Sequence, residues 1–333
     1  MTKLRWGILG AGKFARTFAN GVVASNTGQL VGIGSRTQEG ADAFGAEYGL
    51  THNHGTYEGL LSDPEIDVIH ISLPNNMHAE WTVKCAEAGK HILCEKPFTT
   101  NHAEAVQVIA EVKKHPVFLM EAFMYRCHPQ TWKLKELLDS KAIGEVRVIQ
   151  SNFCYNMGIT ETSLKNIRMR NDVAGGGIMD VGCYAMSMAR LCGGEPIEVK
   201  GSARIGDVSR VDELAVATCK FESGAVAVVT CGTQVNIDNE IRIYGSEGMI
   251  KVPNPWFPTE GENTIYLTKD GKTEPVIINC DLPLYANETD VVSRYINDRQ
   301  APAPCMTWDD TLGNMRALDM WRESVGLVFD VEK

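Results

Sequence analysis

The hexapeptide Gly10-Ala11-Gly12-Lys13-Phe14-Ala15 stands between an apolar run, Leu4 to Leu9, and a stretch of helical periodicity, Lys13 to Ala24. A G-x-G-x-x-A sequence in that place narrows the possible folds sharply. The first glycine permits a tight turn, the second lets a pyrophosphate approach the backbone, and Ala15 keeps the helix close to the strand. The helix N-terminus would then face the phosphates. By itself a glycine loop is often only a loop, so the alternation behind it carries the argument.

That alternation is regular. Leu30 to Gly34 reads as a second strand, Gln38 to Tyr48 as a helix closed by Gly49, and Asp67 to Leu73 as a buried strand stopped by Pro74. Met77 to Ala88 forms a helix capped by Gly89, and His91 to Cys94 is the next strand. Asn101 N-caps a helix to Lys114, and Val117 to Met120 is a last strand. Such a βα series predicts an α/β domain with a parallel sheet and helices on both faces.

The end of the second strand selects the dinucleotide. An NAD site places Asp or Glu there, about 20 residues beyond the loop, to accept from the ribose 2′-hydroxyl. Here the strand ends Gly34-Ser35-Arg36-Thr37. Ser35 can donate to a 2′-phosphate, and Arg36 can pair with it while stacking on adenine. NADP is therefore expected over NAD; the bland reading leaves Arg36 in solvent.

The second half is richer in strands. Thr131 to Leu138 is helical, Glu145 to Gln150 begins a strand, and Glu222-Ser223-Gly224 joins Val211–Phe221 to Ala225–Cys231 in a hairpin. A second hairpin joins 240–244 to 249–252. The first hairpin is apolar at both parities, so both faces of its sheet should be covered, one by helices and one by a symmetric partner. Tyr285 to Asn297 and Trp308 to Glu323 read as closing helices. Between the strands, Gly175-Gly176-Gly177 opens a helix where another backbone or a ligand can come close. Asp180 and Tyr184, spaced i, i+4, project from one face of it. They read either as a proton-transfer pair or as a capping aspartate and a half-buried tyrosine.

Size and charge bound the rest. A chain of 333 residues predicts two domains. A formal charge of -10 argues against nucleic acid or an anionic membrane as partner, leaving small molecules. Ten cysteines without a Cys-x-x-Cys pair read as reduced thiols, and no metal is expected. Met1 to Arg5 leads straight into Trp6-Gly7-Ile8-Leu9, leaving no room for a signal peptide, and no apolar run approaches the roughly 18 residues of a membrane span. A soluble, cytoplasmic protein is the expectation.

Glu95-Lys96-Pro97 ends the apolar run His91 to Cys94, where ligands of an open α/β sheet bind. Taken alone, Lys96 could equally be a surface residue capping its strand. The ordered set of Gly10 to Ala15, Pro74-Asn75-x-x-His78, Gly89-Lys90-His91 leading into Glu95-Lys96-Pro97, Glu121 to Arg126 and Gly175 to Tyr184 resembles the glucose-fructose oxidoreductase / inositol dehydrogenase (Gfo/Idh/MocA) family. The resemblance implies an N-terminal Rossmann domain, residues 1–122, and a C-terminal α+β domain, residues 123–333, whose last helix can return to the first. The second domain would carry a large open, mixed, mostly antiparallel sheet that makes a homodimer or homotetramer. It further implies hydride transfer between a pyridine nucleotide and a sugar, polyol or vicinal diol, with a cis bond before Pro97 turning Lys96 toward the nicotinamide.

Many members carry Asp-x-x-x-His on the glycine-rich helix, whereas this chain has Tyr184. It is thus similar to the branch of dimeric dihydrodiol dehydrogenase and NADP-dependent D-xylose dehydrogenase. Leu73, Pro74, Asn75, His78, Glu95, Lys96, Arg168 and Tyr285 then join the loop residues, Ser35 and Arg36 as cofactor contacts, with Arg126 and Arg168 toward substrate. A surface salt bridge is the plainer reading of Arg168, and a capping role that of His78. His91 and His128 read as structural, and Cys94 and Cys183 as small core residues.

Tyr184 is the expected acid/base, with Lys96 and Asp180. Bringing a tyrosine from a pKa of about 10 to near 7 to 8 takes roughly 3 to 4 kcal/mol. An ammonium about 4 Å away at an effective dielectric near 20 supplies about 4 kcal/mol before desolvation. Three functions compete: a dehydrogenase exchanging NADP at each turnover, a keto-sugar reductase or oxidoreductase holding NADP tightly, and a non-catalytic NADP-binding regulator.

Overall fold

The structure, a computed structural model, describes residues 3–333; Met1 and Thr2, which open the short lead judged too brief for a signal peptide, lie outside the described residues. The chain forms two compact units. One comprises the chain up to Thr99 with 103–128 and 281–311, the other 100–102, 129–280 and 312–333.

Up to residue 128 the elements are β1 (Leu4–Leu9), α1 (Lys13–Ala24), β2 (Gly28–Gly34), α2 (Gln38–Tyr48), β3 (His52–His54), α3 (Tyr57–Leu61), β4 (Val68–Ile71), α4 (His78–Glu87), β5 (His91–Glu95), α5 (His102–Val112), β6 (Leu119–Ala122) and α6 (Met124–Cys127). The strands make one parallel sheet in the order β3-β2-β1-β4-β5-β6. Trp6, Ile8 and Leu9 of β1 and all of β4 are buried, as strands covered on both faces must be. Helix α2 is bounded as its sequence dictates. The Thr37 hydroxyl accepts from the Gly40 N–H at its start, and Gly49 takes a left-handed φ of 69° at its end. Strand β3, absent from the sequence reading, has only three residues, all polar, and exists because β2 offers it a parallel edge through Gly32, Ile33 and Gly34.

The later elements are α7 (Pro129–Asp139), β7 (Val146–Cys154), α8 (Glu161–Leu164), a π-turn at Ile178–Gly182, α9 (Cys183–Gly193), β8 (Pro196–Ile205), β9 (Asp212–Phe221), β10 (Val226–Gly232), β11 (Ile241–Gly245), β12 (Gly248–Val252), β13 (Gly261–Lys269), β14 (Lys272–Cys280), α10 (Leu284–Tyr295) and α11 (Trp308–Ser324). Eight strands pair in the order β14-β13-β12-β11-β7-β10-β9-β8, antiparallel except for β7 with β10. Helix α9 covers one face, where Ala215, Ala217, Cys219, Ala227, Val229 and Cys231 are buried. On this helix the Ala185 carbonyl accepts from the Ser151 hydroxyl of β7 at 2.8 Å. On the opposite parity Val216, Val226 and Val228 are 38, 46 and 38% exposed. Within one chain, therefore, only one face of the hairpin is covered.

The first unit runs on to residue 128, and 281–311 return to it. The return is made by α10 and by the first turn of α11, whose Trp308 indole donates to the Leu119 carbonyl at 3.0 Å. A Cβ on Gly21 of α1 would lie 2.4 Å from the Tyr285 Cβ, so the two helices meet where α1 has no side chain. Asp290 then accepts from the Thr27 hydroxyl at 2.7 Å and from the Ser25 hydroxyl.

Candidate active site

Within the first unit, the turn after β1 has the shape a diphosphate requires. Gly10 has φ 97°, and a Cβ there would stand 2.6 Å from the Ser72 carbonyl oxygen, so any side chain would clash. Nothing lies within 4 Å of where a Gly12 Cβ would be. Gly12 is also the N-cap of α1 and offers no capping side chain, which leaves the first helical N–H groups without a side-chain acceptor from it. An open glycine over such a helix start fits a dinucleotide pyrophosphate. Ala11 gives its carbonyl to Arg16, Lys13 is exposed, and Phe14 meets Tyr285 edge-on at 5.7 Å.

The adenosine end is set by β2. The Ser35 N–H donates to the His54 carbonyl at 2.9 Å, Ser35 is half-buried, and Arg36 is exposed. No carboxylate stands between Gly34 and Thr37. On the other side of β1, Leu73 and Pro74 leave β4 and lead to Asn75. His78, fully buried, faces the Leu73 carbonyl through Nε2 at 2.9 Å and the Pro97 carbonyl through Nδ1 at 2.8 Å. Its ring therefore braces the turn after β4 against the segment after β5, and burial pushes its pKa down.

Beyond β5, the Lys96–Pro97 bond is cis. The buried Glu121 carboxylate accepts from the Phe98 N–H at 2.9 Å and from the Thr311 hydroxyl at 2.9 Å, which anchors the residues that follow Lys96. Glu95 pairs with the buried His70 at 3.0 Å, and His70 stacks on Phe18. Burial and the nearby Glu95 and Glu288 raise the pKa of Tyr285, so its hydroxyl stays protonated at neutral pH.

Within the second unit, the three glycines have a structural explanation. A Cβ on Gly176 would meet the Asp212 Oδ1 at 2.2 Å, and one on Gly175 the Ile167 carbonyl oxygen at 2.4 Å. What comes close is the protein itself: the Asp212 carboxylate accepts from the Ile178 N–H at the head of the π-turn at 2.6 Å. Burial pushes its pKa from 3.8 up to about 8. Because the folded value lies above the unfolded one, the folded state binds the extra proton between these values, and this contribution to stability is lost as pH rises from about 4 to about 8. Urea midpoints should fall across that interval, and Asp212→Asn should flatten the fall; an equal slope in the variant would rule the assignment out.

Asp180 lies in the π-turn, a distortion frequent at functional sites. Its Oδ2 accepts from the Tyr155 hydroxyl at 2.6 Å and pairs with the Arg168 Nε at 3.0 Å. Burial and the Asp180 charge both raise the pKa of Tyr155, keeping it protonated. Sequence reading missed Tyr155, since 25 positions separate it from Asp180 and only the return of β7 beside the π-turn joins them. Tyr184, 5% exposed in the first turn of α9, meets Phe153 and Trp256 edge-on at 5.3 and 6.1 Å.

Arg126 is fully buried and donates from Nη1 to the Pro304 carbonyl at 2.9 Å and from Nε to the Tyr125 hydroxyl at 3.2 Å. Of the histidines read as structural, His91 accepts the Phe118 N–H on Nδ1 at 2.9 Å and His128 is buried. Cys94 and Cys183 are buried thiols, and burial pushes Cys94 well above its usual pKa.

A parallel sheet ordered 3-2-1-4-5-6 with a glycine loop at its first turn defines a Rossmann-type dinucleotide-binding protein. Residues 4–123 match the model of the oxidoreductase family with an NAD-binding Rossmann fold, and residues 131–251 match the GFO/IDH/MocA C-terminal domain. The chain belongs to the GFO/IDH/MocA family of oxidoreductases. It is 32% identical to a D-xylose 1-dehydrogenase (NADP(+)) of Haloferax volcanii, over 96% of this chain and 97% of that one. It is 30% identical to the trans-1,2-dihydrobenzene-1,2-diol dehydrogenase of Danio rerio, over 98% of each. Among solved structures, the aldose-aldose oxidoreductase of Caulobacter crescentus in complex with glycerol superposes with a TM-score of 0.87 at 25% identity, covering 97% of this chain and 98% of that one. The 3-ketoreductase KijD10 of Actinomadura kijaniata, in complex with NADP and TDP-benzene, gives 0.85 at 25% identity with the same coverage.

Proposed function

We propose that this protein is an NADP-dependent oxidoreductase acting on the CH–OH group of a sugar, polyol or vicinal diol, as an aldose or dihydrodiol dehydrogenase does. The observation that carries the reading is the conjunction of an open glycine turn with a β2 end that offers Ser35 and Arg36 and no carboxylate. The Haloferax relative is named for NADP, and the diol dehydrogenase acts on a vicinal diol.

NADP, when bound, supplies the hydride-accepting carbon. Tyr184 takes the proton of the reacting hydroxyl in oxidation and returns it to the carbonyl oxygen in reduction. Lys96 contributes the positive charge that favours tyrosinate and steadies the developing alkoxide. Asp180 orients Arg168 and Tyr155, both hydrogen-bonded to its Oδ2. Phe257, 50% exposed beside Phe153, offers an apolar ring against which the C–H face of a sugar can lie. The exposed valines of β9 and β10 pair with a second copy in a homodimer. The free, mostly buried thiols suit a reducing compartment such as the cytoplasm.

A panel of aldoses, diols and keto-sugars with NADP and with NAD, followed by nicotinamide absorbance, tests the reading. Turnover with NADP on an aldose or diol is expected, and Arg36→Glu should raise the KM for NADP by about 10–100-fold, the worth of one charge-assisted pair of about 1.5–3 kcal/mol. A wild-type preference for NAD would overturn the cofactor assignment. Nucleotide that stays with the protein through purification and turns over without added NADP would point to the reading in which one sugar is reduced as another is oxidised. NADP binding without turnover on any of the panel would point to a regulator.

A further inference from the structure

The geometry points to a second ligand site, unconnected with hydride transfer: we propose that His52, His54 and Asp63 bind a late first-row divalent cation, with Zn2+ as the occupant. His52 and His54 stand at i and i+2 of strand β3, so both side chains leave the same face of the sheet. His52 Nδ1 lies 2.7 Å and His54 Nε2 2.9 Å from the same oxygen, Asp63 Oδ2. The three donor atoms all lie within 4.8 Å of one another.

Two imidazoles and one carboxylate are a donor set that zinc accepts with a water in its fourth position. Tetrahedral bonds of about 2.0–2.2 Å place ligand atoms about 3.3 Å apart, so the present contacts must open by roughly half an ångström. The rings can yield, because the side chains of His52 and His54 are 31 and 26% exposed, which also gives an ion and its water a way in.

The carboxylate is oriented for the task by its surroundings. Asp63 Oδ1 accepts from the Glu65 N–H at 2.8 Å, which leaves Oδ2 directed at the two rings. Such second-layer contacts are what hold ligands at metal centres. The Lys90 ammonium is taken up by the backbone carbonyls of Asp63 and Ile66 at 2.6 and 2.8 Å. Its charge weakens the site without occupying a donor atom.

The test is a titration of full-length protein, stripped by a chelator and dialysed, with ZnCl2 by calorimetry and with Co2+ by absorption. One equivalent should bind at micromolar or tighter affinity, Co2+ should give tetrahedral d–d bands without a thiolate charge-transfer band, and Zn2+ should raise Tm. His52→Gln and His54→Gln keep an N–H for Asp63 but lose the imidazole donor; each should weaken Zn2+ by more than the roughly 10–100-fold that a lost second-layer partner costs. Asp63→Asn gives a third reading should a glutamine variant not fold. No binding by the wild type would overturn the site, leaving a hydrogen-bonded His-Asp-His cluster. So would a thiolate band, or undiminished binding by folded variants.

Discussion

Tyr184→Phe is expected to lower kcat by about 10²–10⁴-fold with KM nearly unchanged, the usual cost of losing a general acid/base. The substitution removes one hydroxyl and keeps the ring, whose edge-on contacts with Phe153 and Trp256 hold it in place. The Tm should therefore stay close to wild type, and the loss can be read as chemistry and not unfolding. Steady-state rates across pH about 6 to 10 decide the matter, since tyrosine's ordinary pKa of about 10 puts the basic form at the alkaline end of that range. Retention of wild-type turnover throughout would remove Tyr184 from the mechanism.

Lys96→Met should cost a comparable factor and move the pH profile as well. If Lys96 tunes the base, the substitution removes what an ammonium about 4 Å from a tyrosinate is worth at an effective dielectric of 20, about 4 kcal/mol. At 1.36 kcal/mol per unit that is roughly three pH units before desolvation is subtracted. Oxidation would then require more alkaline solution, while ketone reduction, which starts from neutral tyrosine, would suffer less. Lys96→Arg should recover part of the pH shift by restoring charge. An unmoved profile in Lys96→Met would mean that the lysine binds substrate and does not tune the base.

Much of the first unit was legible because its signals are local. Gly10, Gly12 and Ala15 fall in one hexapeptide between a strand and a helix, and the periodicity of α1 and α2 gives their ends to the residue. Strand β3 was not legible, because three polar residues carry no period and the strand is made by the open edge of β2. Strands β8 and β14 escaped for a related reason: they are the sheet edges, largely exposed, and β14 carries Pro275 where no central strand would tolerate it.

Composition and spacing could not separate residues that reach a ligand from residues that brace the site. Arg126, in a motif quoted for substrate, is buried and donates to the Pro304 carbonyl, 178 positions away. Glu121, a few residues earlier in that motif, supports the Phe98 amide and so the segment that carries Lys96. The three glycines mark a place of close approach: the Ile167 carbonyl comes up to Gly175, and the Asp212 carboxylate to Gly176 and Gly177.

By itself, then, the chain determined the glycine turn, the parallel βα alternation and the absence of a carboxylate after β2, because each depends on neighbours within a turn or strand. Tertiary structure alone decided that Tyr155 and Arg168 converge on one Asp180 oxygen, that Arg126 reaches the Pro304 carbonyl, and that His52 and His54 share Asp63. Those pairings join distant segments, and only the burial that brings the segments together determines which charges and donors must satisfy one another.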